Sequence, residues 1–218
     1  MQAAILAEAP DAKSISARYA GAMPSSTDWS LRYAAGNTPW DMRRAHPELT
    51  RRLELDPTLG TGRMGTALVP GSGRGHDAAA LAGAGWDVTA VDFALGMAPV
   101  SHHGVEFREA DVFDIDGVFD LMFDHTFFCA LEPSERMRFG GLAGRAVRAG
   151  GHVVSIVFPI GRPLESCGPP FPMEVDHVSR VLGGEFELVA ESAPFTTGRR
   201  AWPHVWAHWT RMPPSTES

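Results

Sequence analysis

The sequence predicts an α/β fold: a Rossmann-like, doubly wound, mostly parallel sheet with helices on both faces. Three observations carry that reading. Apolar runs of strand length alternate with helix-length segments from Met64 onward, and the first run ends in a glycine-rich turn, Gly71-Ser72-Gly73-Arg74-Gly75. An acid, Asp92, closes the second run, 21 residues after Gly71. Strand–helix alternation of this kind belongs to parallel sheets covered on both sides. With 218 residues, 44% of them hydrophobic, the chain can fill one such domain and is short for two.

The elements follow in order. Residues 1–26 are Ala-rich and end in Met23-Pro24-Ser25-Ser26, which predicts a flexible N-terminal arm with one helix around Ser14 to Ala20. A single domain is expected over 27–212, its first part, 27–55, serving as a lid over the ligand. Thr27 or Asp28 can N-cap a helix that runs to Ala35 and stops at Gly36. Pro39 then forces an extended loop carrying Trp40 and Asp41, and Pro47 to Leu55 reads as a second helix with proline in its first turn. Strand 64–69, helix 76–83, strand 86–91, helix 93–100 and strands 104–109 and 118–124 follow from the apolar periodicity. A long helix, 133–148, is expected to end at Gly150-Gly151 and to re-enter the sheet as strand 152–158. Beyond the Gly- and Pro-rich loop 161–172, a helix over 175–182 leads to strands 186–192 and 202–209, read as a hairpin-like pair at the sheet edge. No internal repeat or low-complexity tract interrupts this plan.

Charge and cysteine usage exclude several classes of function. The net charge is −7, and basic residues cluster only as Arg43-Arg44, Arg51-Arg52 and Arg199-Arg200, so no nucleic-acid footprint exists and a small-molecule partner is expected. Two cysteines, Cys129 and Cys167, without CxxC spacing suggest neither a disulfide framework nor a zinc cluster. No metal is expected. The N-terminus lacks a basic region followed by a long apolar core, and no run approaches the ~18 apolar residues of a membrane span, so a soluble cytoplasmic protein, monomer or homodimer, is expected.

Ligands of doubly wound sheets sit beyond the carboxyl ends of the strands, where the strand order reverses. Four segments should converge there: the glycine turn with Gly71 and Gly73, Asp92-Phe93, Asp111-Val112, and Asp124 through Phe128. The glycines let a ligand approach the backbone, and Asp92 can accept two ribose hydroxyls. A dinucleotide fingerprint would place a third glycine where His76 stands. The shorter GxGxG form suits a cofactor with no pyrophosphate to cradle, and S-adenosyl-L-methionine is such a cofactor.

Other residues admit two readings each. Asp111 or the backbone of Val112 can meet the amino edge of adenine, or Asp111 caps a turn. Phe127 and Phe128 are core residues or an active-site wall. His125 orients the cofactor or nucleophile, or is a satisfied structural histidine. Trp29 and Trp40 form an aromatic lid whose faces attract a sulfonium, or they staple an N-terminal helix to the sheet. His204 and His208 lack a nearby carboxylate or cysteine to complete a metal site and read as packing of an edge strand. Glu165 and Cys167 line a substrate entrance or are solvated loop residues.

Together these segments carry a resemblance. PWD at Pro39, VPGSGRGHDA from Val69, VDF at Val91, ADVF from Ala110, FDHTFFCALEP from Phe123 and GPPFPMEV from Gly168 resemble the thiopurine S-methyltransferase superfamily. Within it they are most similar to the thiol and halide (thiocyanate) methyltransferases. The resemblance implies a class I methyltransferase fold, seven strands with the last antiparallel, and S-adenosyl-L-methionine as methyl donor. It also implies roles: Trp29 and Trp40 in the cofactor lid, Gly71 on the methionyl part, Asp92 at the ribose and Asp111-Val112 at the adenine, with Gly73, Phe93, Asp124 and His125 as further candidate cofactor-binding residues. His125 and Phe158 stand where the plant halide enzymes commonly carry tyrosine, and Ser72 where they carry cysteine.

Methyl transfer from a sulfonium is an in-line displacement, and a soft anion needs no general base. A pocket of Phe127, Phe128, Phe158, Pro169, Pro170 and Phe171 therefore suffices for thiols, bisulfide, thiocyanate or halide, with His125, Phe128 and Phe158 as the candidate catalytic residues. If the acceptor is a neutral thiol, His125 is placed to hold or remove its proton. Two alternatives stand beside this: an O- or N-methyltransferase of a small secondary metabolite, and a non-catalytic S-adenosylmethionine-binding protein.

Overall fold

The computed structural model describes residues 26–56, 59, 65–94, 101–198 and 201–214. Apart from Ser26, the expected arm lies outside the described residues, as does all but the start of the helix expected at 93–100. Helix α1 spans Ser26–Ala34 and α2 spans Pro47–Leu55, the latter N-capped by His46, whose Nδ1 accepts from the Glu48 N–H. Strand β1 (Gly65–Pro70), helix α3 (His76–Gly83), strand β2 (Trp86–Asp92), strand β3 (Val105–Glu109) and strand β4 (Phe119–His125) match the alternation read from sequence. Helix α4 (Met137–Ala146), strand β5 (Val147–Val157), helix α5 (Val175–Leu182), strand β6 (Phe186–Glu191) and strand β7 (Val205–Arg211) complete the order.

The seven strands form one sheet in the order β3-β2-β1-β4-β5-β7-β6. Strands β1 to β5 pair in parallel, while β7 is antiparallel to both β5 and β6. This is the class I methyltransferase arrangement that the resemblance implies. Strand alternation splits the core between two faces. On one face Leu68, Met122, Val153 and Trp209 pack under α4 and α5, which contribute Phe139, Leu142, Val178 and Leu182. On the other, Ala67, Val69, Phe123, Val154 and Trp206 pack under α2 and α3 through Leu49, Leu53, Ala78 and Leu81.

Three expectations need correction. The long helix ends at Ala146, and Gly150-Gly151 lies inside β5. There the register jumps from Phe119↔Val147 to Leu121↔His152, and Gly150 takes φ +72° within the irregular stretch. The glycines thus mark a bulge in a strand and not a helix stop. The last strand starts at Val205, and His204 before it makes only an isolated bridge to Phe195. Finally β7 is interior, inserted between β5 and β6, so of that pair β6 lies at the sheet edge, opposite β3 at the other, and His208 packs inside the sheet. No helix among the described residues is long and apolar enough to cross a membrane.

Candidate active site

A cavity of about 610 Å³ opens beyond the carboxyl ends of β1 to β5. Each strand end supplies wall: Gly71 after β1, Asp92 and Phe93 at β2, Val112 after β3, Thr126 and Phe127 after β4, and Phe158 after β5. Trp29, Arg32, Tyr33 and Trp40 cover it from α1 and the following loop, and Pro169, Pro170 and Ala201 close another side. The location is the switch point where the chain leaves β1 for β2 on one side and returns through β4 on the other.

The glycine turn is shaped by what lies against it. Gly71 has φ +58°, and a Cβ there would meet the Phe127 ring at 2.7 Å. Gly73 has φ +54°, and its Cβ would meet Tyr33 Oη at 2.7 Å. Only glycine adopts this conformation at low cost and leaves the wall open. Where a dinucleotide fold would need a third glycine, His76 begins α3 and its Nε2 lies 3.6 Å from Asp41 in the loop after α1. Asp41 also pairs with Arg74 at 3.0 Å, so the loop after α1 is tied to the glycine turn by charge.

Asp92 is braced by backbone: Gly73 N–H donates to Oδ2 at 2.7 Å and Ala94 N–H to Oδ1 at 3.0 Å. Burial pushes its carboxyl above the usual range, against the downward pull of those N–H groups. Across α1 and the loop that follows it, Trp40 Nε1 donates to Tyr33 Oη at 3.2 Å, and the Trp29 and Trp40 rings meet edge-on at 5.1 Å. Burial raises the Tyr33 phenol to about 12. It keeps its proton at neutral pH.

Strand parity separates two neighbours that sequence reasoning placed together. Asp124 is buried, its Oδ1 accepting from Phe127 N–H (3.0 Å) and Phe128 N–H (3.1 Å) and its Oδ2 from Ser155 Oγ (2.7 Å). It shapes the turn in which Thr126 is held at φ +70°, and it does not line the cavity. His125 points to the opposite face, where Nδ1 lies 2.7 Å from Asp77 Oδ2 and the ring stands 4.8 Å from that of His46. Burial alone would raise the Asp77 carboxyl, but His125 and the His46 N–H together hold it below the usual range. His125 is absent from the cavity lining, and its Nε2 is buried without a hydrogen-bond partner among the described residues.

Of the candidate catalytic residues, then, only Phe158 lines the cavity. Phe128 is fully buried beneath Phe139, with ring centroids 5.0 Å apart. Of the candidate cofactor residues, Trp29, Trp40, Gly71, Asp92, Phe93 and Val112 line it, whereas Gly73, Asp111, Asp124 and His125 do not. Asp111 caps the short turn Val112–Asp114 by accepting from Phe113 N–H at 2.9 Å, and its other oxygen lies 3.3 Å from Arg138. Glu165 and Cys167 are also off the lining. Sequence reasoning missed Arg32, Tyr33, Cys129 and Arg138. A helical signal existed for two of them, because positions 32 and 33 lie three and four residues after Trp29 and share its face.

An adenosyl sulfonium cofactor fits these residues. A cavity of this size takes a ligand of that class. The turn presents backbone with no Cβ at Gly71, a half-buried carboxylate stands at the end of β2, and Trp29, Tyr33 and Trp40 gather on one side. Asp92 and the N–H groups around it are the groups that would hold its ribose, Val112 and Phe113 its base, and the glycine turn its amino-acid end.

Known proteins agree. The chain matches the thiopurine S-methyltransferase (TPMT) family over residues 25–98 and 95–197. It is 32% identical over 170 residues to probable thiol methyltransferase 2 of Arabidopsis thaliana, covering 72% of each chain. It is 30% identical over 166 residues to thiocyanate methyltransferase 1 of the same plant, covering 71% of this chain and 70% of the relative. In fold it is similar to 1,6-didemethyltoxoflavin-N1-methyltransferase of Burkholderia thailandensis, with a TM-score of 0.65 at 18% identity over 97% of this chain and 94% of that one. The chain belongs to the thiopurine S-methyltransferase family and is an S-adenosylmethionine-dependent methyltransferase of a small nucleophile.

Proposed function

We propose that the methyl group is passed in line to a small soft nucleophile: a thiol, bisulfide, thiocyanate or a halide. The observation that carries this reading is the make-up of the cavity away from Asp92. Pro39, Phe158, Pro169, Pro170 and Ala201 form an apolar wall, and no imidazole stands among the described lining residues. A hydroxyl or amine acceptor needs a base to take its proton, whereas a soft anion arrives without one. The names of the two plant relatives, a thiol and a thiocyanate methyltransferase, point the same way.

When bound, S-adenosylmethionine supplies a methyl group activated by a positively charged sulfur. The chain's own residues then have three tasks. Asp92 and the glycine turn hold the donor, the apolar wall accepts a weakly hydrated nucleophile, and residues 27–55 exclude water as a lid. Support for the lid comes from Trp29, Tyr33 and Trp40 on the cavity and from the Asp41–Arg74 pair at 3.0 Å. His125, committed to Asp77 on the far face of β4, is given an orienting role for α3 and β4 and no role as a base.

The test is product. Incubation with S-adenosylmethionine and a panel of thiocyanate, bisulfide, iodide, aryl thiols and catechols should yield methylated volatiles or thioethers together with S-adenosylhomocysteine. Turnover confined to hydroxyl or amine acceptors would replace this reading by an O- or N-methyltransferase; bound cofactor with no turnover would make the protein a binding module. Asp92→Ala should weaken S-adenosylhomocysteine binding by about 1 to 3 kcal/mol, the scale of hydrogen bonds lost to a charged group.

A further inference from the structure

Thr126 lines the cavity with its backbone at φ +70°, in the left-handed region where a β-branched residue is a genuine outlier. Hydrogen bonds hold it there. Asp124 Oδ1 accepts from the N–H groups of Phe127 (3.0 Å) and Phe128 (3.1 Å), and Cys129 Sγ donates to the Thr126 carbonyl at 3.4 Å. Glycine or asparagine would make the same turn at lower cost, and serine would supply a hydroxyl without a second γ group. The strain belongs to the branch. Strain of this kind persists only where the surroundings over-determine it, and it gathers at functional sites.

The register places that branch. Leu68 pairs with Met122 across β1 and β4, and His125 pairs with Ile156 across β4 and β5. Gly71, Thr126 and Phe158 therefore leave three adjacent strands at nearly one level, in that order across the sheet, and all three line the cavity. On one side of Thr126 the Phe127 ring closes against Gly71, in the turn that with Asp92 is assigned to the methyl donor. On the other side Phe158 begins the apolar wall assigned to the acceptor. Thr126 stands at the join.

We propose that Thr126 is a specificity-determining residue, whose branched side chain flanks the line of methyl transfer and confines the acceptor to a small nucleophile approaching in line. This rests on the small-acceptor reading and names what enforces the size. A side chain branched at Cβ is stiff about χ1, and the left-handed backbone fixes where Cβ points, so the two γ groups form a wall that does not swing away. Displacement at the methyl carbon needs the nucleophile opposite the sulfur, and a misplacement of about 1 Å costs about 100-fold in rate.

The test compares wild type, Thr126→Gly and Thr126→Val by the ratio of kcat/KM for ethanethiol to that for 2-naphthalenethiol. Melting and S-adenosylhomocysteine titration follow the fold and the donor site. Thr126→Gly removes both γ groups and releases the strain, so the ratio should fall at least about tenfold, the scale of a small change in pocket fit. Its Tm should stay within about 3 °C of wild type or rise, and its S-adenosylhomocysteine affinity should stay within about threefold. Thr126→Val keeps both γ positions and should hold the ratio within about threefold. An unchanged ratio in Thr126→Gly overturns the proposal. So does a valine variant as unselective as the glycine variant, which would assign the effect to the hydroxyl. A fall in Tm beyond about 5 °C in Thr126→Gly would make Thr126 a structural residue of the turn, and a collapse of S-adenosylhomocysteine affinity would place it in the donor site; either result overturns the proposal. Failure of the soft-nucleophile reading is seen separately. A wild type that methylates only hydroxyl or amine acceptors refutes that reading, and the same ratio, taken with catechol and 2,3-dihydroxynaphthalene or with aniline and 2-naphthylamine, then decides the role of Thr126. A wild type that turns over no acceptor refutes both.

Discussion

Replacing Asp124 by alanine separates a residue that shapes the site from one that touches the ligand. The substitution removes the acceptor for the part-buried Phe127 N–H at 3.0 Å, for the buried Phe128 N–H at 3.1 Å and for Ser155 Oγ at 2.7 Å. Each unsatisfied buried donor costs about 1 to 3 kcal/mol, more where the lost partner was charged. Three such losses exceed 4 kcal/mol in gross terms, but burial already pushes the Asp124 carboxyl above its usual range, and that penalty disappears with the side chain. The expected net loss is about 2 to 4 kcal/mol of unfolding free energy, which in a chain of this length corresponds to a fall in Tm of about 5 to 15 °C. Asparagine keeps an acceptor for the two N–H groups and should cost about half as much. Urea unfolding of the cofactor-free protein gives the first number, and calorimetric titration with S-adenosylhomocysteine gives the second. If Asp124→Ala unfolds within about 1 kcal/mol of wild type while cofactor affinity collapses, Asp124 is a ligand contact and the turn-shaping argument is wrong.

Three further outcomes are expected. Gly71→Ala must hold φ +58° and force its Cβ against Phe127 at 2.7 Å, so it should lose about 1 to 2 kcal/mol of stability and at least about tenfold in S-adenosylhomocysteine affinity, measured by melting and titration. Gly140→Ala should be more damaging than its helical position suggests, because its Cβ would sit 2.0 Å from the Val181 carbonyl oxygen; a loss above about 2 kcal/mol in urea unfolding is expected, with cofactor affinity retained. His208 is pushed down from 6.5 to about 4 by burial and by the nearby His152. Its folded pKa lies below its unfolded one, so the unfolded chain takes up a proton first and stability falls as pH drops from about 6.5 to about 4. The loss approaches about 3 kcal/mol and flattens below pH 4. Unfolding midpoints measured across that window should show it, and His208→Phe should reduce it.

Much of the scaffold was legible because its signals are local. The strand–turn–helix–strand–acid run from Gly65 to Asp92 needs only apolar periodicity, positive-φ glycines and a strand-end carboxylate, all of which reside in neighbouring residues. Errors arose where one local signal has two physical uses. Gly150-Gly151 offers φ freedom to a helix stop and to a bulge alike, and what decides is the register of β5 against β4, a contact between residues about thirty apart in sequence. His125 beside Asp124 looked like one site wall, yet adjacent strand residues face opposite ways. Asp77, which claims His125, comes from α3, 48 residues earlier.

Chain chemistry alone determined the sheet class and the glycine turn with its acid, because each is set by backbone preference or by the placement of apolar groups along the chain. Tertiary structure decided which side of β4 each functional group serves, that β7 enters the sheet inside β6, and that Arg32 lies on the rings of Trp29 and Trp40. Those outcomes depend on which surfaces meet when the helices close over the sheet, and no stretch of neighbouring residues encodes that meeting.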